Sequence, residues 1–572
     1  MTTKSEPKST KAKQIAKIVI SGLMIGLLVL TLTAVGLTFK LKNTIKQQRF
    51  KSASRQAALA LPVAQTWNTL TLHQIPLLKI WVESLKLTKQ LPQLKTSLPA
   101  ADKVLALERQ ELISADLEKN LIQSAAHLKT INQNLTSCLV CQLLNSKHQT
   151  YQPVLQAAQQ TLTWLPELKT GQHQFVFWLQ NSDEIRATGG FVGAVLLVEI
   201  KQNQLQEPVF LDIYDLAGQT KTTASQTPGL SEFLAGAQGI KITDANWHPD
   251  FDQAVNDWLE FIPEESSHLP LKKNNIRLVG AINLEFVERL LALVGPIKLA
   301  DYKQTITNQN FSQVARQNRG QFFAGDIQKK QFLSQVFNQL KIKLTTADQA
   351  QLSAIIQLTL SALNHYQLQL KAVDPELQTA LSPVRLAQQL DPNPELRQGD
   401  YFLYLVESNV GINKANRLVD RQVKLEIEPQ LIRIQVNYQN NNSPLSTQEL
   451  TQLEQNPDLL QAKHNQYINY LRLITNSNLE LIKANCSHQP ERKPDAGLIL
   501  DSHNRQWLQI GLLSATAENS DSSCNFTLKS DYQITPENRF VIGKQPGIKP
   551  VLWTVSHLKK TTEFTLETTK QL

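Results

Sequence analysis

The stretch FVFWLQNSDEIRATGGFVGAVLLVEI, residues 175–200, decides how this chain folds. Two apolar runs at 175–179 and 191–200 are rich in Phe and Val and contain no Pro, which predicts two buried strands. Charged and hydroxyl side chains and a glycine pair lie between them: Asp183, Glu184, Arg186, Thr188, Gly189 and Gly190. Adjacent glycines permit close approach of a backbone or a ligand. The polar segment between the two strands is therefore predicted to be a functional site.

The length and charge of the chain set its broad class. With 572 residues it is too long for one core, so two to four domains are expected. At 41% hydrophobic and 19% charged residues it is globular. The net charge of +9 is concentrated in residues 1–55, which carry 11 basic residues and one acid, a net of +10 that leaves −1 for the other 517. Because the bulk is nearly neutral, nucleic-acid binding is not predicted.

Residues 18–39 form a run of 22 residues without a charge. As a helix this run spans roughly 33 Å, enough to cross a bilayer core. The C-terminal end of this run lacks the small-x-small pattern of a signal-peptide cleavage site, so an uncleaved transmembrane anchor is expected. Both flanks are basic, and the short tail 1–17 is expected in the cytoplasm with the bulk outside. Gly22 and Gly26 have the spacing that lets two anchors pack closely, which leaves a homo-oligomer open.

Four cysteines occur in the chain. An even number in an exported protein predicts two disulfides, most simply Cys138–Cys141 and Cys486–Cys524. The Cys138-x-x-Cys141 spacing follows a helical pattern and not a strand, which disfavours a thioredoxin-like redox site. A zinc site would have to combine Cys138 and Cys141 with Cys486 and His488 from a distant region, so no metal site is predicted.

Periodicity along the chain predicts a multidomain α+β protein. Apolar residues such as Leu117, Leu121 and Ala125 fall on one helical stripe, so a helical stalk or bundle is expected at 43–170. Strand-like runs, among them 209–215, predict an α/β domain with covering helices at 171–399. Within it, the run 276–282, a helix to Val294 and the run 297–299 suggest a βαβ unit. Strict alternation from about residue 400 predicts a β-sandwich at 400–572.

The loop 244–252, DANWHPDFD, concentrates possible oxygen ligands. The calcium-binding EF-hand pattern fails, because Pro249 stands where Gly is required and Val255 where the bidentate Glu should be. Two interpretations stay open. Asp and Asn side chains in such a loop cap turns and helix starts, or Asn246 and Asp250 contribute to ligand binding.

Residues 179–191, LQNSDEIRATGGF, resemble the hallmark of the bacterial family called domain of unknown function 4012. That hallmark contains Gln-Asn, an acidic position, Arg and then Gly-Gly-Phe, and Ala187 stands here where Pro is usual. Later landmarks occur in order at 212–215, 244–251, 280–282, 291–296, 408–414 and 467–472. The resemblance covers roughly residues 40–480 and the anchor. It implies a membrane-anchored envelope protein without an assigned activity.

A fainter similarity is to the LytR-CpsA-Psr phosphotransferases, which move glycopolymers from a polyprenyl-pyrophosphate carrier. Their Arg-x-Asp-Thr signature would fall on residues 186–189, where the Asp is missing. Such chemistry needs cations or Mg²⁺ to offset developing charge. The alternative is that Arg186 pairs internally with Asp183 or Glu184 and fixes the turn. The candidates for catalysis are Asp183, Glu184, Arg186, Thr188, Asp212 and Asp244, and those for ligand binding are Arg186, Gly189, Gly190, Asn246 and Asp250.

Three functional hypotheses follow. The first is a structural, assembly or binding protein of the cell envelope, anchored in the lipid bilayer, whose partners are cell-surface polysaccharide or other envelope proteins. The second is a glycopolymer transferase, which alone would require Mg²⁺; no other cofactor is predicted. The third is a lipid- or sugar-binding receptor. The sequence contains no Ser-His-Asp hydrolase elbow, P-loop or His-Glu-x-x-His motif, so it carries no complete catalytic signature.

Overall fold

The computed structural model describes residues 50–70, 76–97, 111–137, 148–221, 229–234, 239–265, 268–299, 304–317, 328–390, 396–397, 399–444, 465–476, 479–488, 493–557 and 560–572. The predicted tail and anchor at 1–39, and the cysteines Cys138 and Cys141, lie outside these ranges. Within them, no helix combines the length and the apolar character that a membrane crossing requires.

Helices form the start of the described chain, helices and strands alternate in its middle, and strands form its end. The helices are α1 Phe50–Leu70, α2 Pro76–Ser97, α3 Ala115–Ser137, α4 His148–Trp164, α5 Ile213–Ala217, α6 Leu230–Phe233, α7 Phe251–Leu259, α8 Leu284–Val294, α9 Phe311–Gln317, α10 Gln328–Thr345, α11 Gln349–Asn364 and α12 Pro375–Leu381. The strands are β1 Gln172–Asn181, β2 Phe191–Lys201, β3 Gln204–Leu205, β4 Val209–Asp212, β5 Ile276–Asn283, β6 Ile297–Leu299, β7 Gln304–Ile306, β8 Leu368–Ala372, β9 Tyr401–Asn409, β10 Val419–Ile427, β11 Leu431–Asn440, β12 Tyr467–Thr475, β13 Leu479–Cys486, β14 Asp495–Leu500, β15 Gln506–Thr516, β16 Ser520–Ser530, β17 Phe540–Gly543, β18 Val551–His557, β19 Lys560–Leu566 and β20 Lys570–Gln571.

The chain divides into two compact units. The first comprises the described parts of Met1–Gly171 with Lys201–Gln204 and Pro375–Val384. Its described elements are mainly helices: α1 packs on α2, α2 on α3 and α3 on α4. Alanines on α1 let α2 approach closely, and the predicted apolar stripe on α3 is buried. The buried residues concerned are Ala57, Ala60, Ala64, Val82, Leu85, Leu117, Leu121, Ala125 and Leu128.

The second unit comprises Gln172–Ile200, Leu205–Asp374 and Arg385–Leu572, so it holds both the mixed sheet and the β-sandwich. The mixed sheet has the strand order β3-β2-β1-β5-β8, with β4 also paired to β2. β1 and β5 are parallel, with Gln180 opposite Asn283, and β8 is antiparallel to β5. Trp178 packs between Phe251 and Trp258 of α7, which covers this sheet.

The predicted βαβ unit is wrong. β5 and α8 form as expected, but β6 pairs with β7 in a separate two-stranded sheet. The reason is that β8, a strand the sequence did not reveal, already occupies the free side of β5. β6 instead buries Ile297 and Leu299 against α8 in a cluster with α10. The predicted strand 209–215 ends early, because Asp212 caps the short helix α5 through a hydrogen bond from the Tyr214 backbone N–H.

Two six-stranded sheets build the C-terminal part, in the orders β13-β16-β11-β10-β18-β19 and β14-β15-β12-β9-β17-β20. β11 alternates buried and partly exposed residues, as period two requires. Inward-facing residues of both sheets, such as Val423 and Leu471, share one core, which is the arrangement of a β-sandwich. Cys486 of β13 lies opposite Cys524 of β16, and the two form a disulfide with the predicted pairing.

A glycine on β15 provides a direct test of this packing. A Cβ added at Gly511 would overlap the hydroxyl oxygen of Tyr470, whose ring crosses the sheet there. We expect Gly511→Ala to lower the free energy of unfolding by about 1–3 kcal/mol, because overpacking forces the ring or the backbone to move. Denaturant unfolding measures this loss.

Gly497 on the neighbouring strand β14 is the matched control, since a Cβ there meets no atom within 4 Å. Gly497→Ala should leave the unfolding midpoint nearly unchanged. Equal effects of the two substitutions would contradict the described packing of Tyr470.

Candidate functional site

The segment between β1 and β2 folds as a closed turn held by its own backbone. Glu184 N donates to Asn181 O, Gly189 N to Arg186 O at 3.0 Å, and Phe191 N to Glu184 O at 2.8 Å. A Cβ on Gly190 would overlap the Asn181 carbonyl. Only glycine therefore fits where the turn folds back on the end of β1.

Arg186 is 1% exposed, and its guanidinium is used inside the protein. Nη1 donates to the carbonyl oxygen of Asn409 at 2.6 Å and to that of Ile185 at 3.2 Å. Nη2 forms an ion pair with Glu184 Oε1 at 3.1 Å, and the guanidinium carbon lies 5.8 Å from the centre of the Phe191 ring. The structure thus realises the internal pairing with Glu184 that the sequence left open. Arg186 connects the turn to the last residue of β9.

Thr188 is the centre of a buried amide network. Its hydroxyl oxygen accepts from Gln180 Nε2 at 2.7 Å and from Asn246 Nδ2 at 3.0 Å. Asn246 Nδ2 also donates to the Gly190 carbonyl at 2.8 Å, and Gln369 Nε2 donates to the Thr188 carbonyl at 2.8 Å. The loop 244–252 and the turn therefore meet in space, although Asn246 lies 58 positions beyond Thr188 along the chain.

Residues of the β-sandwich hold the turn from its other side. Gln545 Nε2 donates to the Arg186 carbonyl at 3.2 Å and to the Glu407 carbonyl at 2.8 Å. Asn416 Nδ2 donates to the Ser182 carbonyl at 2.6 Å. No sequence motif pointed to Gln545 or Asn416. The landmark at 408–414 was the available signal, because it marks the end of β9 that Arg186 contacts.

A second buried arginine joins the loop 244–252 to the sandwich. Arg472 of β12 donates from Nη1 to the Trp247 carbonyl and from Nη2 to Ser408 Oγ, each at 2.9 Å. Its guanidinium carbon lies 4.5 Å from the centre of the Trp247 ring, which stacks on Tyr470 at 5.6 Å. Burial lowers the pKa of Arg472 to about 10. No sequence pattern indicated this contact.

Asp250 acts as a helix cap. Oδ1 accepts from Gln253 N at the start of α7, and Oδ2 accepts from Leu390 N, each at 3.0 Å. Burial, followed by the nearby Asp252 carboxylate, raises the pKa of Asp250 to about 7. Burial, followed by the Arg472 charge, lowers the pKa of His248 to about 4. Both oxygens of Asp250 are thus committed to backbone N–H groups.

The other acidic candidates have different surroundings. Burial raises the pKa of Asp244, and the nearby Arg186 charge partly opposes this shift. Asp183 is 7% exposed, and its backbone N–H donates to Asn181 Oδ1. Asp212 caps α5. In the part of the chain that the structure describes, no group of three or more His, Cys, Asp or Glu side chains could hold a metal ion.

This geometry defines a class of protein in which a mixed α/β part and a β-sandwich interlock through a buried polar turn. Residues 170–319 match the model of the family described as "Protein of unknown function (DUF4012)". The predicted family resemblance is confirmed for this segment, which is shorter than the range 40–480 that was expected. The similarity to LytR-CpsA-Psr phosphotransferases is not shown. No curated protein and no solved structure matches the chain.

Replacing Arg186 tests how much the structure depends on this turn. We expect Arg186→Met to lower the free energy of unfolding by about 3–5 kcal/mol, because it leaves Glu184 as an unpaired buried charge. It also removes the donor to the Asn409 carbonyl. Chemical denaturation of the two proteins measures the difference.

Arg433→Ala is the matched control, since Arg433 pairs with Glu428 on the surface, where the two side chains are 40% and 48% exposed. Surface pairs contribute about 0–1 kcal/mol. If Arg186→Met cost no more than this control, the buried turn would not have the structural role described.

Asp250 makes stability depend on pH. The pKa of Asp250 in the folded protein, about 7, lies above the ordinary 3.8. Its contribution to the free energy of unfolding is therefore fully present below about pH 4 and is lost as the pH rises to 7. Asp250→Asn removes this loss, so the variant should gain stability relative to the wild type as the pH rises from 4 to 7. The gain is at most about 1.4 kcal/mol per pH unit.

The quantity compared is the difference in unfolding free energy between variant and wild type, measured from pH 4 to 8. His248 acts in the opposite sense, since its lowered pKa costs stability as the pH falls from 6.5 to 4, and the difference cancels this effect. Asn keeps the cap on α7 and loses the bond from Leu390 N, a cost that does not vary with pH. A difference that is constant across the range would refute the raised pKa.

Proposed function

We propose that this protein is a single-pass, membrane-anchored protein of the bacterial cell envelope with a structural, assembly or binding role. The observation that carries the proposal is the uncharged run at 18–39 between basic flanks. The Cys486–Cys524 disulfide supports an extracytoplasmic position for the β-sandwich, because structural disulfides persist in oxidising compartments. On this proposal residues 1–17 are cytoplasmic and the described residues lie outside the membrane.

The geometry of the turn favours a structural role for it over a catalytic one. Arg186 bonds through Nη1 and Nη2, and Thr188 through its hydroxyl, to partners within the protein, and both side chains are buried. Buried polar groups that bond to one another across a contact specify how two parts of a fold fit together. Binding to surface polysaccharide or to other envelope proteins would then use the outer surfaces of the protein.

Glycopolymer transfer is the alternative activity. It would require cationic groups that reach a pyrophosphate, together with Mg²⁺. The side chain of Arg186 is 2% exposed and paired with Glu184, so this observation argues against its availability to a substrate. If Arg186→Met kept its fold but abolished turnover of a polyprenyl-pyrophosphate-linked glycan, the transferase hypothesis would replace the structural one.

The proposed topology has a direct test through the disulfide. Cells that produce the Cys138→Ser, Cys141→Ser protein are lysed in denaturant with a polyethylene-glycol maleimide and without reductant. We expect no mass shift, because Cys486 and Cys524 are oxidised outside the cytoplasm. The protein should also remain in the membrane fraction.

The control is the same protein without residues 18–39. Kept in the reducing cytoplasm, it should be soluble and take up two maleimides. Two maleimides on the anchored protein as well would place the β-sandwich in a reducing compartment and overturn the proposal.

A further inference from the structure

We infer that the outer face of the sheet containing β10, β11, β16 and β13 carries a binding groove for a neutral, hydroxyl-rich glycan. A groove of about 560 Å³ lies on this face, which is within the range of about 300–1,000 Å³ that small-molecule sites occupy. Its lining includes residues of β10, β11 and β16 and the two residues that follow β13, Ser487 and His488. The inference rests on the binding role proposed above and adds the place and the ligand class.

The strand register arranges the polar side chains in two rows across the sheet. Asp420, Gln439 and Asp521 stand opposite one another on β10, β11 and β16, and Gln422, Asn437 and Ser523 form the next row. Members of a row are about 4.8 Å apart. Because side chains alternate between faces, both rows point away from the shared core. The two rows therefore form a flat array of amide, carboxylate and hydroxyl groups.

Ser487 and His488 form one wall of the groove, next to the buried disulfide. Cys486 and Cys524 join β13 to β16 beneath the face, and Ser487 and His488 follow directly after Cys486. Ser487 N donates to the Ser523 carbonyl at 2.8 Å, and His488 Nε2 lies 3.1 Å from the Asp521 carbonyl. A covalent link next to these contacts holds the wall in place, and such preorganisation lowers the entropic cost of binding.

The amide and carboxylate side chains of the groove favour a neutral, hydroxyl-rich ligand. The amides of Gln422, Asn437 and Gln439 each offer donors and an acceptor, which suits hydroxyls that donate and accept at once. The Asp420 and Asp521 carboxylates add acceptors and repel anions, so a phosphate-rich or uronate polymer fits poorly. A protein partner fits this groove less well than a glycan. Protein interfaces have apolar or aromatic side chains at their centre, whereas the side chains that line this groove are polar.

The test uses the full chain in a detergent without a sugar headgroup. Cellohexaose, maltohexaose and mannohexaose are titrated by calorimetry and by saturation-transfer NMR, with hexagalacturonate as the anionic comparison. We expect at least one neutral hexasaccharide to bind with a Kd on the order of 0.1–1 mM, since no exposed aromatic ring of the lining adds stacking. Asn437→Ala with Gln439→Ala should weaken this binding about tenfold, because two hydrogen-bonding amides are lost.

Gln435→Ala is the matched control. Gln435 lies on β11 one row beyond the groove and stands opposite Lys424, so its replacement should change the Kd less than about twofold. The thermal midpoint of each variant is measured to establish that its fold is kept. Absence of saturable binding by all three neutral sugars, preference for hexagalacturonate, or equal effects of the groove and control variants would each overturn the inference. Because the protein is purified, this result is independent of the cellular topology test.

Discussion

The hydrogen bond from the Arg186 guanidinium to the Asn409 carbonyl is the contact on which the arrangement of the larger unit depends. A buried guanidinium needs hydrogen-bond acceptors around it, and a counter-charge stabilises it further, since removing it from water costs several kcal/mol. Glu184 supplies the charge and comes from the same turn, whereas Asn409 comes from the sandwich. The turn therefore supplies the counter-charge itself, but the Arg186 Nη1 group has its Asn409 acceptor only when the sandwich is in place.

Arg472 makes the reciprocal contact. It projects from the sandwich to the Trp247 carbonyl of the α/β part, and it also donates to Ser408 Oγ. Both arginines thus converge on the end of β9, at Ser408 and Asn409. Each part supplies a buried guanidinium that donates a hydrogen bond to a backbone carbonyl of the other part. This reciprocity explains why the mixed sheet and the sandwich form one compact unit and not two domains on a linker.

Because the polar groups of the turn are buried, the turn and the outer surface of the sandwich have different roles. Most polar groups of Arg186, Thr188 and Asn246 bond within the fold. Among the described residues, Arg186 Nε and Asn246 Oδ1 have no hydrogen-bond partner, but both atoms are buried away from solvent. The amides on the outer face of β10 and β11 are in the opposite situation, because they face a groove and are not required by the core. A polar motif that identifies a family can in this way be structural, while binding chemistry lies on a less distinctive surface.

The sequence by itself determined the elements whose signal is local. The presence of β1 and β2 follows from apolar runs without Pro, although β1 extends beyond its run at 175–179 to Gln172–Asn181. The stripe on α3 follows from its helical period, and the sandwich strands follow from period two. It also indicated the Cys486–Cys524 pair and the alternative that Arg186 pairs with Glu184, two residues away. Only the tertiary structure decided the partners of that turn. Asn409 and Gln545 lie 223 and 359 residues from Arg186 along the chain, and β8 joins β5 by a pairing that its own five residues do not encode. Local periodicity reports which face of an element is buried, whereas the path of the whole chain determines what covers it.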